Sequence, residues 1–404
     1  MFNNPFPNRK PSVLAVKLSA KGERSVRSEH PWIFSDSIES VNKTGTAGDI
    51  AVIFSHSKNK PMGVGLYDPD SPIAIKMVHH GGGAKLDEEF FQEKINSAFA
   101  LRRTLLQTHT NSYRLLFGEN DGFPGFIADI YAEVLVVKLY SEIWLPYLET
   151  ICTQLLEVSK AETLVLRLSR KLQQSKAHNL KDGMVLFGKL KNETIVFKEH
   201  GVNFSANVIK GHKTGYFLDH RNNRKLVGEL SKGKTVLDVF SYAGGFSVHA
   251  LARGATSVTS LDISEQALQL ALANGKLNSY KGTHKIIAGD AFKEMELLII
   301  NKQRFDVVII DPPSFAKSEK EIVLALKKYK QLAQLGVKLT NKGGLLVLAS
   351  CSSRVTSKAF FNLNTEMLDA SKRTYNLIKK TFHDSDHPIS FPEGAYLKCG
   401  YYRF

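Results

Sequence analysis

Cysteine is scarce: Cys152, Cys351 and Cys399 are the only three among 404 residues, odd in number and far apart. That excludes a disulfide framework, argues against a zinc site, and suits reduced thiols in a cytoplasmic protein. No apolar run approaches the roughly 18 residues that would span a membrane. The opening stretch, Met1-Phe2-Asn3-Asn4-Pro5, lacks the charged-then-apolar pattern of a signal peptide. A protein without membrane attachment is therefore expected. Internal repeats and low-complexity tracts are missing as well. Acidic residues are in deficit, with 54 Lys+Arg against 39 Asp+Glu, a net +15. Such an excess favours a polyanionic partner through counterion release and electrostatic steering. It does not tell RNA from DNA or from a membrane surface.

Part of the positive charge is clustered. Residues 160–200 hold nine Lys/Arg against four Asp/Glu, and residues 301–342 repeat that ratio. Each cluster reads plainly as a solvated face. Its sharper reading is a nucleic-acid contact, for which Arg167, Arg170 and Lys171 are candidates in the first.

A length of 404 residues suggests two or three domains. Short alternating segments from Ser12 to Val78, broken by Gly and Pro, predict a small β-barrel or sandwich. His79-His80-Gly81-Gly82-Gly83 predicts a linker; its histidine pair lacks the second ligand cluster that a metal needs. A helix is expected from Asp87 to Leu106, because Phe91, Ile95, Ala98, Leu101 and Leu105 share one face. Strands are expected near Phe126–Tyr131, Val134–Tyr140 and Thr163–Leu168, a helix over Leu145–Val158, and a hairpin turning at His200-Gly201. From Thr235 the pattern becomes strand–helix alternation, which implies a parallel sheet covered by helices. Strands are predicted at Thr235–Val239, Val258–Leu261, Lys285–Ala288, Val307–Ile310 and Leu345–Ala349, with a last one in Ala395–Phe404. The expected domains are 1–80, 81–200 and 201–404. The fold class is α/β, Rossmann-like, preceded by a β-barrel and a central α+β domain.

The chemistry gathers at the strand ends of the last domain, where ligands collect in parallel sheets. The first strand runs through Asp238 into Phe240-Ser241-Tyr242-Ala243-Gly244-Gly245. Glycines there let a ligand approach the backbone, although the G-x-G-x-x-G dinucleotide spacing is absent. Asp262 ends the second strand 18 positions after Gly244 and suits ribose hydroxyls. Asp290 ends the third and suits an adenine amino group. Asp311-Pro312-Pro313 ends the fourth, and Ser350-Cys351-Ser352 the fifth. Prolines stiffen the loop and cannot donate hydrogen bonds. Two neighbouring strand ends would thus offer a carboxylate and a thiol to one crevice. Cys351 sits among serines at a polar strand end, whereas Cys399 and Cys152 read as core residues. Lys210–Arg224, including Phe217 and Arg221, is rich in groups that suit phosphate or the methionine part of a cofactor; a capped helix entrance is the plainer reading.

Taken together, these strand ends resemble a class I S-adenosylmethionine methyltransferase. More closely, the chain is similar to the bacterial 23S rRNA cytosine-carbon-5 methyltransferases with an N-terminal PUA domain, the large-subunit methyltransferase I group. Nearly the whole chain shares the resemblance. Matching stretches include His30–Phe34, Gly118–Gly125, Gly211–Arg224, Phe240–His249, Asp311–Lys317, Ser350–Ser352, Asp386-His387-Pro388 and Pro392–Cys399. Ala243 stands where Thr is usual and His220 where Gln is common.

The resemblance implies S-adenosyl-L-methionine held by Phe217, Arg221, Asp238, Ser241, Tyr242, Gly244, Gly245, Asp262, Asp290, Asp311 and Pro312. It implies Cys351 as nucleophile with Asp311 beside the base, Phe315 and Lys317 against 23S rRNA, and no metal. A homodimer stays open. The related guanine methyltransferases share the Phe-Leu-Asp-His-Arg stretch and the Asp-Pro-Pro turn, but need no thiol. A non-catalytic rRNA-binding assembly factor is the alternative of another class.

Overall fold

The fold was described from a computed structural model covering residues 2, 3, 6, 7 and 9–404. Part of the opening stretch read for a signal peptide (Met1, Asn4, Pro5) lies outside the described residues. The chain divides into two compact units. The first comprises 1–197, 205–218 and 385–391; the second comprises 198–204, 219–384 and 392–404. This division differs from a cut at 200/201, because three short segments return to the other unit.

The first unit opens with β1 (Val13–Leu18), α1 (Ala20–Arg27), β2 (Trp32–Ile33), β3 (Ile38–Val41), β4 (Ile50–Phe54), β5 (Pro61–Tyr67) and β6 (Ile75–His80). They form one six-stranded sheet in the order β2-β6-β5-β4-β1-β3. Alternation in β1 buries Leu14, Val16 and Leu18 while Val13 and Lys17 stay exposed, the period-2 pattern of a sheet with one face on a core.

Then come α2 (Glu88–Leu106), β7 (Ser112–Phe117), β8 (Phe126–Tyr131), β9 (Val134–Leu139), α3 (Leu148–Ser159), β10 (Thr163–Leu168), α4 (Arg170–Gln173) and β11 (Met184–Phe187). Their strands form a second sheet, β11-β10-β9-β8-β7. Asp87 caps α2 by accepting from the Phe90 N–H at 3.2 Å, and the predicted apolar face buries Phe91, Ile95, Ala98 and Leu105, whereas Leu101, expected on it, is 53% exposed.

Two buried ion pairs fix this unit. Arg102 meets Asp121 with two bonds of 2.9 and 2.6 Å, and Arg114 meets Asp129 with two of 2.9 and 3.0 Å. The late segment 385–391 joins them: Asp386 accepts from the Arg114 N–H at 3.0 Å, and its carbonyl accepts from Arg102 at 3.2 Å.

A two-stranded ribbon, β12 (Thr194–Glu199) and β13 (Val202–Asn207), precedes the large sheet. The second unit continues with α5 (Arg221–Leu230), β14 (Thr235–Val239), α6 (Gly245–Ala252), β15 (Ser257–Asp262), α7 (Glu265–Lys276), β16 (Thr283–Ala288), α8 (Ala291–Ile300), β17 (Phe305–Ile310), α9 (Ile322–Leu339), β18 (Thr340–Ser350), α10 (Ser357–Ala370), β19 (Asn376–Thr381) and β20 (Lys398–Arg403). The sheet order is β16-β15-β14-β17-β18-β20-β19. Strands β14 to β18 pair in parallel, and β20 lies antiparallel between β18 and β19.

Central β17 carries Val307, Val308, Ile309 and Ile310, all at most 1% exposed. A strand buried on both faces needs such an unbroken apolar run. The chain leaves β14 toward β15 and β16, then crosses back to place β17 on the other side of β14. That reversal is a topological switch point, where a crevice opens beyond the strand ends.

Candidate active site

The turn after β14 is the first wall of the crevice. Phe240 and Tyr242 both have left-handed backbones, at φ 64° and 46°. For residues other than glycine that costs roughly 1–3 kcal/mol each and tends to mark functional loops. Gly244, at φ 76°, sits where an added Cβ would come 2.7 Å from the Ala271 Cβ, so α6 and α7 can close on this turn only because no side chain is there.

Beneath the turn, Asp238 is buried. Its Oδ2 accepts from the Ser247 N–H at 3.0 Å and hydroxyl at 2.7 Å. Its Oδ1 and the Ser241 hydroxyl are buried with no hydrogen-bond partner. Burial pushes the Asp238 carboxyl up to about 7, and the negative charges of Asp311 and Asp262 add to that rise despite the Ser247 bonds.

Asp262 ends β15 as expected. It accepts the backbone N–H of Tyr242 and of Ser264, each at 2.9 Å, and stays half-buried. Two fixed N–H donors orient the carboxylate and leave lone pairs for a diol. Ile263 beside it is 77% exposed, a flat apolar surface that sequence reasoning passed over. Its signal was an isoleucine directly after an acidic strand end. Asp290 is exposed and caps α8, accepting the Lys293 N–H at 3.1 Å.

The second wall is made by β17 and β18. The Asp311 N–H reaches the Val239 carbonyl at 3.3 Å, and Pro312 is buried. His220 at the start of α5 places Nε2 3.3 Å from Asp311 Oδ1. The Asn223 amide oxygen accepts from Thr381 at 2.6 Å and Tyr401 at 2.9 Å. Its NH2 therefore faces His220 Nδ1, at 3.0 Å, which leaves Nε2–H toward Asp311. Cys351, half-buried, directs its thiol to the Pro312 carbonyl at 3.6 Å. The neighbouring strand ends do bring the thiol against the Asp-Pro-Pro turn, at the Pro312 carbonyl. Cys152 and Cys399 are fully buried, and burial pushes both thiols well above the ordinary range.

Arg221 is buried and ion-paired with Asp384 at 3.0 Å. Phe315, half-buried, packs edge-on against Tyr329 at 5.3 Å, with the Lys328 ammonium 4.9 Å from its ring. Lys317 is exposed and its N–H bonds Glu321 at 2.6 Å. Sequence reasoning also missed Lys398. It is fully buried in β20 and donates to the carbonyls of Ser352, Val355 and Tyr396.

The remaining candidates belong to the first unit. Half-buried Phe217 has the Lys213 ammonium 4.8 Å from its ring. Arg167 departs from the expected solvent-facing cation. It is 6% exposed, pairs with Asp182 at 3.0 Å and donates to the carbonyls of Val208 and Gly211. Arg170 and Lys171 are exposed on α4, and Lys171 reaches the Asp70 carbonyl at 3.0 Å.

A parallel sheet with a glycine turn and carboxylates at its first strand ends defines a site for a cationic adenosine-type cofactor. The chain belongs to the S-adenosylmethionine-dependent methyltransferase family, whose model matches residues 113–377, and a PUA-like domain matches residues 16–80. It is 38% identical to a Ribosomal RNA large subunit methyltransferase of Deinococcus radiodurans over 96% of both chains. It is 34% identical to the Ribosomal RNA large subunit methyltransferase I of Shewanella frigidimarina, over 96% of this chain and 98% of that one. A solved methyltransferase structure, SMU.776 complexed with SAH, has the same fold at TM-score 0.80 and 20% identity, covering 97% of this chain and 100% of that one.

S-adenosyl-L-methionine is the cofactor. The residues fit it: Asp262 would hold the ribose, Ile263 would meet the adenine face, and the turn after β14 would offer its backbone at half-buried Gly245. The Asp238 Oδ1 and Ser241 hydroxyl, buried with no hydrogen-bond partner among the described residues, are polar atoms that the methionine part would satisfy. Among the described residues no group of three or more His, Cys, Asp or Glu could hold a metal ion, and no helix is long and apolar enough to cross a membrane.

Proposed function

We propose that this protein methylates carbon 5 of a cytosine in 23S rRNA, in the cytoplasm, through a covalent adduct on Cys351. The observation that carries this reading is a thiol 3.6 Å from the Asp-Pro-Pro turn. Methylation at a ring nitrogen has no use for a thiol there; carbon 5 of cytosine does, because it is a poor nucleophile. The bound cofactor supplies an electrophilic methyl on a sulfonium. Cys351, as thiolate, adds to carbon 6 of the base, and electron density moves to carbon 5. Carbon 5 takes the methyl, a base removes its proton, and the Cys351–carbon 6 bond breaks to return the thiolate. This is covalent catalysis in two easier steps. Asp311 contacts the polar edge of the base and Phe315 its face. The cytosine must leave its stack, since a stacked base cannot present carbon 6 to a thiol.

The names of the relatives support rRNA as substrate, and so does a groove in the first unit. It encloses about 350 Å³ and is lined by Lys138, Tyr140, Arg167, Arg170, Lys210 and Lys213, among others. Tyr140 is 45% exposed. Cations beside an open aromatic ring suit phosphates and a stacked base of single-stranded RNA.

RNA carrying 5-fluorocytosine tests the reaction, because fluorine at carbon 5 cannot leave as a proton. A covalent enzyme–RNA band on a denaturing gel is expected from the wild type and from Cys399→Ser, and none from Cys351→Ser. An adduct that survives Cys351→Ser and vanishes in Cys399→Ser moves the role to the other thiol. No adduct with any variant, together with methylated guanine in the product, replaces cytosine by guanine.

A further inference from the structure

Lys398 is a buried ammonium without an acid. It is 0% exposed, and its three donors all go to main-chain carbonyls, those of Ser352, Val355 and Tyr396. Among the described residues, no carboxylate lies within 4.0 Å of it. Burying a charge without a counter-charge is costly, and a lysine fully buried in a strand is rare unless paired. Its place in the sheet is specific: Lys398 stands opposite Ser350, the residue before Cys351, in the β18–β20 register. Two of its carbonyl partners flank the loop that Cys351 opens. One buried side chain therefore ties that loop down and puts a positive charge behind it.

We propose that Lys398 is a positioning residue that holds the Cys351 loop and supplies the counter-charge for the Cys351 thiolate. This rests on the reading of Cys351 as nucleophile. The thiol proton leaves to solvent through the exposed side of Cys351, and the ammonium keeps its own protons. The charged and titratable groups around the thiol make the need plain. Asp311 from the end of β17 opposes a thiolate. Tyr329 from α9 hydrogen-bonds Ser350 at 2.9 Å and brings no positive charge. Cys399 in β20 is held neutral by burial. His220 faces Asp311, and Arg354 on the loop leans to Glu319 at 3.9 Å. Lys398, by contrast, is a buried cation that no carboxylate among the described residues approaches within 4.0 Å. Burial pushes the Lys398 ammonium down to about 8, and the negative charge of Cys351 works against that fall.

Charge coupling is reciprocal, so each partner reports on the other. In Lys398→Met, the pH midpoint for iodoacetamide alkylation of Cys351, mapped by mass spectrometry, should rise by about one unit. Alkylation at neutral pH should then slow roughly tenfold. Lys398→Arg, which keeps the charge, should stay near wild type. In Cys351→Ser, the Lys398 ε-amino group should titrate lower than in wild type by heteronuclear NMR. That arm replaces only the sulfur of half-buried Cys351 by oxygen, so it reads out even where Lys398→Met does not fold. Unchanged Lys398 titration in Cys351→Ser overturns the proposal, as does a wild-type alkylation midpoint in folded Lys398→Met. If wild-type protein forms no fluorocytosine adduct while both couplings hold, the nucleophile reading fails and the thiolate–lysine pair stands.

Discussion

Asp238 is a buried carboxyl that a nearby cation would return to its charged form. A carboxyl held near 7 by burial and by its acidic neighbours is largely protonated in slightly acid solution. A sulfonium bound beside it would favour the charged form, and cofactor binding would then expel that proton. Affinity for S-adenosylmethionine should therefore rise with pH through about 7, while its demethylated product, which lacks the sulfonium charge, should show a weaker trend. Calorimetry in buffers of different ionisation enthalpy would reveal the released proton; identical heats in all buffers would remove Asp238 from the site. Asp262→Ala should weaken cofactor binding roughly tenfold or more, because charge-assisted hydrogen bonds contribute about 1.5–3 kcal/mol. Unchanged affinity would reassign the ribose contact. Both carboxylates were legible from their places on the strands, and so was the approach of Cys351 to the Asp-Pro-Pro turn. Lys398 was not, since its importance lies in having no acid within reach, and sequence spacing does not display a missing neighbour.

Whole elements followed their patterns where a single periodicity ruled. Strands β10 and β14 match the expected Thr163–Leu168 and Thr235–Val239, and the Ser264 hydroxyl caps α7 by accepting the Ala267 N–H at 3.2 Å. Strand β19 went unforeseen; its residues are mostly exposed, so no alternation marks it. The ribbon and α5 pose another case. Glu199 at the end of β12 accepts from Arg224 at 2.7 and 2.6 Å and meets His249 of α6 at 2.9 Å, all three buried. Burial alone would raise the Glu199 carboxyl, but Arg224 and His249 hold it far below the carboxylate range. A depressed folded value means that this stability is present above about pH 4.5 and is lost as pH falls toward the folded value. Arg224→Met should strand a buried carboxylate and cost about 3–5 kcal/mol, readable as a lowered denaturant midpoint at neutral pH. A loss below about 1 kcal/mol would mean that water reaches Glu199. In the groove, Tyr140→Ala with Arg170→Ala should weaken binding to single-stranded rRNA fragments and flatten its salt dependence. An unaltered affinity and slope would make it a plain solvated face.

At the scale of the whole molecule, the net +15 and a sheet built for a cationic cofactor lie in one chain, and one of the two basic clusters, residues 301–342, falls within the sheet's own unit. What the sequence texture cannot display is the return of 385–391 to the first unit, because a pairing across 272 positions leaves no local period. That return has a consequence for how the protein is made. Arg114 emerges from a translating ribosome 272 residues before Asp386, which at roughly 5–20 residues per second is on the order of fifteen to fifty seconds. Throughout that interval the Arg114 N–H lacks its Asp386 carboxylate, however complete the sheets around it are. A nascent chain stalled at residue 380 should thus be cut by protease within the first unit, and one stalled with 385–391 clear of the exit tunnel should resist. The first unit is thus finished by a segment made 272 positions after Arg114, so the window for chaperone capture spans the synthesis of everything between them.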